Sequence, residues 1–174
     1  MPKTNTHTAQ KLAIAGLLTA AAVVGSFLSV PVAGSKCAPV QHMVNILCAV
    51  FLGPWYGVAV AFAASLIRNL LGLGSPLAFP GSMCGALLCG LCYYKLKNLP
   101  LTFVAEVFGT GIIGGLLAYP VAILVMGKAV GSIAFYVYVV PFLVSTVGGT
   151  VIAACIIYAL KASGTFSYIR QLAQ

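Results

Sequence analysis

Long apolar stretches recur along almost the whole of this chain, and they are separated only by short Gly- and Pro-rich breaks. A run of that kind cannot be left facing water, and in lipid it must satisfy its own backbone hydrogen bonds. Helices do so segment by segment, whereas the alternating pattern of a spanning β-strand is missing here. The composition agrees, with 61% hydrophobic and 6% charged residues, far outside the range of water-soluble domains. The expected fold is therefore an all-α integral membrane protein, one domain over residues 1–174. Six transmembrane helices are expected, at about 11–29, 40–52, 55–73, 81–94, 101–126 and 134–160. The first segment, although preceded by Lys3 and Lys11, is too long for a secretory signal and leads directly into further apolar segments.

Topology follows from the basic residues. Six spans put both ends on one face. Lys3, Lys11, Lys95, Lys97, Lys161 and Arg170 gather there, against Lys36, Arg68 and Lys128 opposite. Six against three favours an N-in, C-in arrangement. The net charge of +8 is spread over segment ends rather than arranged in a stripe with aromatics, so it reads as topology and anionic-lipid contact. Nucleic acid is not an expected partner.

Polar residues inside such segments are costly, and they cluster. Within Pro39-Val-Gln-His-Met-Val-Asn45, helical spacing puts Gln41, His42 and Asn45 on one sector. Arg68 and Asn69 lie roughly 21 Å along the third segment at 1.5 Å per residue, close to its outer end. Arg68 is either a snorkelling cation or the donor wall of a pocket. Lys36 precedes the second segment, while Phe79 and Ser82 open the fourth. Tyr119 lies in the outer third of the fifth, and Tyr136, Tyr138 and Ser145 begin the sixth. Under the N-in topology all these groups fall on one outer level. The expected substrate-binding set is Lys36, Gln41, His42, Asn45, Arg68, Asn69, Phe79, Ser82, Tyr119 and Tyr136.

Glu106 is the one acid in the chain. Counted from the inner end of its segment it lies roughly 9 Å deep, which argues against pairing with Arg68. The expectation is a contact with Lys95, Lys97 or a partner protein, or a carboxyl neutralised by desolvation. Small residues along the first segment form two stripes, Ala9, Ala13, Gly16 and Ala20 on one and Ala15, Thr19, Ala22 and Ser26 on the other. Such stripes allow close helix approach, either within the protein or against a partner.

Catalytic signals are missing. Gly127-Lys128 is followed by Ala129, so it is not a phosphate loop, and neither GxSxG nor HExxH occurs. His42 has no second ligand at metal spacing and is read as a hydrogen-bonding group. Cys89-Gly-Leu-Cys92 has no second pair and is read as packing. No catalytic residue, metal site or cofactor is expected.

The motifs Pro39-Val-Gln-His-Met-Val-Asn45, Leu52-Gly-Pro-Trp-Tyr56, Arg68-Asn-Leu-Leu-Gly72 and Ala78-Phe-Pro-Gly-Ser-Met83 resemble the ThiW family. These are substrate-binding S components of energy-coupling factor (ECF) vitamin transporters in the plasma membrane of prokaryotes. The resemblance covers nearly the whole chain and is most specific over residues 36–94. It implies six helices and an outward-facing pocket for hydroxyethylthiazole, a thiamin precursor. It also implies a transmembrane T component and two cytosolic ATPases as partners. By the same resemblance, Ala13, Gly16 and Ala20 correspond to the helix face that docks the T component, and residues 30–39 to a lid. The alternatives are an S component for thiamin or a pyrimidine precursor, and a stand-alone membrane facilitator.

Overall fold

The computed structural model describes residues 4–32 and 35–172; Lys3 and Gly34 lie outside the described residues. Helix α1 (Thr4–Val24) runs into a 3-10 turn at Gly25–Leu28, followed by a two-stranded hairpin, β1 (Val30–Val32) and β2 (Ser35–Cys37). The expected loop at residues 30–39 thus contains antiparallel pairing, Val30 opposite Cys37 and Pro31 opposite Lys36. Then come α2 (Pro39–Phe51), α3 (Pro54–Leu70), α4 (Ala78–Leu96) and α5 (Leu99–Val107). A π-helical stretch, Phe108–Gly114, joins α5 to α6 (Gly115–Leu124), and α7 (Val139–Ala162) and the short α8 (Thr165–Leu172) complete the chain.

The six expected segments correspond to helical stretches, and the boundaries follow local chemistry. Proline occupies the first helical turn of α2, α3 and α5, where its missing N–H costs nothing. Gly53, with φ of 91°, makes the reversal between α2 and α3 that a side chain would strain. Asn98 caps α5 by accepting from the Leu101 amide at 3.1 Å. The last segment starts irregularly, as its sequence implies, with turns up to Tyr138 before α7 begins.

Among the described residues, three helical stretches are long and apolar enough to cross a membrane: His7–Leu28, Leu99–Leu124 and Val139–Ala162. The shorter α2 is apolar too, and it is the hub. It packs against α1, α3, α4, α5 and α7, and ten of its thirteen residues are buried. The main core joins Val44, Ile46, Cys48 and Val50 of α2 to Ala22, Val60, Ala64, Ala153 and Ile157. A smaller cluster, Leu77, Ala118, Ala122, Tyr138 and Phe142, lies beneath the α3–α4 loop. Large apolar side chains cover the outside, among them Leu17, Phe27, Leu70 and Leu124, each more than two-thirds exposed. A water-soluble domain avoids such a surface; lipid stabilises it.

The two stripes on α1 separate cleanly. Ala22 and Ser26 are buried, and Ala15 packs against the core, so that stripe is an internal helix contact. Ala13, Gly16 and Ala20 face outward, and a Cβ added at Gly16 would meet nothing within 4 Å.

Candidate binding site

The start of α2, the end of α3, the start of α4 and the start of α7 meet at one end of the bundle under the β1–β2 hairpin. Between them is a small, partly open cavity. Its walls are Lys36 and Ala38 at the hairpin, Gln41 and His42 of α2, and Arg68 of α3. Gly74, Ser75 and Leu77 of the following loop, Ala78 and Ser82 of α4, and Phe142 and Ser145 of α7 complete it. The hairpin is tied down on both sides. The Ala38 amide donates to Ser145 Oγ at 2.9 Å and the Cys37 thiol to the Pro141 carbonyl at 3.1 Å. Lys36 Nζ reaches the Gly72 carbonyl at 3.4 Å across the mouth. Burial pushes the Cys37 thiol pKa up.

Below the cavity runs a continuous polar network. Arg68 Nη1 donates to Gln41 Oε1 and Gln41 Nε2 to Asn45 Oδ1, both at a long 3.4 Å. Asn45 Nδ2 faces two acceptors at 3.0 Å, the Ser82 carbonyl and Glu106 Oε1. Thr110 Oγ1 lies 3.0 Å and His42 Nδ1 3.1 Å from the same Glu106 oxygen. Ser65 and Ser82 exchange a hydroxyl contact at 3.0 Å. Buried polar groups are tolerated in such a core only when they satisfy one another. Here most do. Arg68 Nε is a buried donor with no acceptor among the described residues, and Arg68 is 3% exposed.

Five of the ten residues expected from sequence line the cavity together: Lys36, Gln41, His42, Arg68 and Ser82. Asn45 lies one layer below and holds the others in place. Asn69 is turned away, its amide closing the α3–α4 loop by donating to the carbonyls of Ser65 at 2.8 Å and Ser75 at 3.1 Å. The expected aromatic wall is not where sequence put it. Phe79 stacks on Phe62 at 5.6 Å, Tyr136 is exposed against Phe135, and Tyr119 is half-buried outside the lining. Phe142 supplies the aromatic face instead.

Glu106 requires a correction. It does not reach Lys95 or Lys97 at the C-terminal end of α4; it is fully buried and bonds to α2 and Thr110. The axial count went wrong because α2 is short and sunk into the bundle, so its polar end meets α5 well inside the fold. Thr110, four residues on, was a readable companion. Gly85 of α4 faces this pair so closely that a Cβ there would overlap Thr110 Oγ1 and lie 2.7 Å from Glu106 Oε2. His42 acts as the hydrogen-bonding group expected. The described residues hold no cluster of three metal-ligating side chains.

A family model described as thiamine-precursor transporter protein (ThiW) matches residues 12–163. No match was found among curated proteins or among solved structures.

Proposed function

The chain belongs to the ThiW family of thiamine-precursor transporters, and on that premise we propose that it is the substrate-capturing S component of an ECF importer, specific for hydroxyethylthiazole. In this reading the protein crosses the plasma membrane of a prokaryote six times, N-in and C-in, with the cavity under the hairpin facing outward. The observation that carries it is the cavity's chemistry. The polar side chains of Gln41, His42 and Arg68 converge beside the Phe142 ring. A small heteroaromatic alcohol fits that set, with the ring against Phe142 and its polar atoms on those side chains.

The β1–β2 hairpin closes the site as a lid, held by the Ser145 and Pro141 contacts. The chain carries no nucleotide-binding motif, so energy comes from two cytosolic ATPases acting through a transmembrane T component. The outward stripe of Ala13, Gly16 and Ala20 is the docking face, because small residues let a partner helix approach closely in lipid.

The test is a binding panel on the purified protein without its partners. Saturable one-to-one binding of hydroxyethylthiazole in preference to thiamin and the pyrimidine precursor is expected, with no net uptake into liposomes lacking ATPases. Preference for thiamin or the pyrimidine would reassign the ligand, and ATPase-free uptake would make the protein a facilitator.

A further inference from the structure

We propose that Glu106 is a positioning residue for the binding site: it fixes the tautomer of His42 so that the cavity presents a bare ring nitrogen, which accepts a hydrogen bond from the ligand. The ligand part of this inference rests on the transport reading above.

The argument begins with Asn45. Its amide nitrogen lies 3.0 Å from the Ser82 carbonyl, a pure acceptor, which fixes which end of the amide carries the hydrogens. The same nitrogen therefore donates to Glu106 Oε1, also at 3.0 Å. Thr110 Oγ1 lies 3.0 Å from that oxygen and 3.2 Å from the Gly81 carbonyl, the two acceptors its one hydrogen can serve. Whether the carboxyl is ionised or carries a proton on its unpartnered Oε2, Oε1 is then an acceptor, and His42 Nδ1, 3.1 Å away, carries the proton that points at it. In the neutral ring Nε2 then has a free lone pair. His42 lines the cavity, and Nε2 has no partner within the chain among the described residues. The device resembles the orienting carboxylate behind a catalytic or metal-bound imidazole, applied here to recognition.

Paired with Arg68, which also lines the cavity and carries only donors, this sets the ligand's polarity. One ligand group must donate, to His42, and another must accept, from Arg68. A hydroxyl or amine at one end and a ring nitrogen or carbonyl at the other meet that demand. For hydroxyethylthiazole the hydroxyl would donate to His42 and the ring nitrogen would accept from Arg68.

The tautomer can be read without ligand by nitrogen-15 NMR of the imidazoles. The chain has only two histidines, so a His7→Gln variant assigns His42. The expected spectrum has Nδ1 protonated and Nε2 bare. Glu106→Gln, whose amide oxygen still accepts, should keep it; Glu106→Leu should lose it. In parallel, the wild type should bind hydroxyethylthiazole about tenfold or more tightly than the analogue with an ethyl in place of the hydroxyethyl group, since a site built around a hydrogen bond rejects a ligand lacking it. The Gln variant should keep that preference and the Leu variant reduce it to less than about threefold. A wild-type ring protonated on Nε2, or a Leu variant that retains tautomer and preference, overturns the proposal. So does a Gln variant that loses both. Should the Leu variant fail to fold, the wild-type and Gln spectra decide. A protein that binds no thiazole refutes the ligand assignment, while the NMR arm still judges Glu106.

Discussion

Replacing Asn45 by alanine should loosen the protein as a whole, because this side chain joins three elements below the cavity. It is fully buried, and its amide donates to the α4 backbone at Ser82 and to Glu106 of α5 while accepting from Gln41. Losing a bond to a carboxyl group costs about 2 kcal/mol and losing one to a buried carbonyl about 1 kcal/mol, so about 3 kcal/mol disappears before any cavity term. For a chain of this size that is roughly 9 °C in melting temperature. The protein provides its own reporter. Cys37, Cys48 and Cys89 are free and buried, so with the more accessible Cys84, Cys92 and Cys155 replaced by serine or alanine throughout, a maleimide that fluoresces on reacting with thiols will follow their exposure on heating. Thr110→Val is the milder comparison: its one hydroxyl hydrogen serves either Glu106 at 3.0 Å or the Gly81 carbonyl at 3.2 Å, so it gives up about 2 kcal/mol at most and should fall by no more than roughly 6 °C. An Asn45→Ala protein that melts within about 1 °C of wild type would refute the claim that this network holds α2, α4 and α5 together.

Arg68→Ala should weaken thiazole binding about tenfold or more, equivalent to about 1.4 kcal/mol, and lower the melting temperature less than Asn45→Ala does; equilibrium binding and the thiol assay measure the two effects separately. Ser145→Ala removes the acceptor for the Ala38 amide and should free the hairpin. Cys37, whose raised pKa makes it slower to alkylate than a free cysteine at pH 8, should then label faster, and unchanged labelling would disconnect Ser145 from hairpin closure. Gly16→Leu has open space around it and should leave melting and binding alone while abolishing ATPase-driven uptake in reconstituted vesicles. Undiminished uptake would remove this face from the docking model.

The all-helical class and the positions of the helix breaks were readable from the sequence because apolar length and Gly/Pro breaks specify helices directly; even the ragged entry to α7 before Pro141 was visible. The shared location of Lys36, Gln41, His42, Arg68 and Ser82 was readable too, since alternating helix directions place these ends on one level. Two things were not. Aromatic residues were assigned by level alone, but which side of a helix faces the cavity depends on packing, and Phe142 rather than Tyr136 or Tyr119 lines it. Glu106 was misplaced because axial counting assumes equal helix depths, and the buried α2 violates that assumption. Its partners His42 and Asn45 lie more than sixty positions earlier in the chain, a separation at which spacing gives no information.

The central claim, that this chain alone captures a thiamin precursor, is tested most directly by native mass spectrometry of protein purified from membranes supplied with hydroxyethylthiazole. The account predicts a single adduct with the mass of one thiazole molecule, lost in Arg68→Ala. A protein carrying no adduct, or one that exchanges thiazole for thiamin or a pyrimidine when these are offered together, would contradict it.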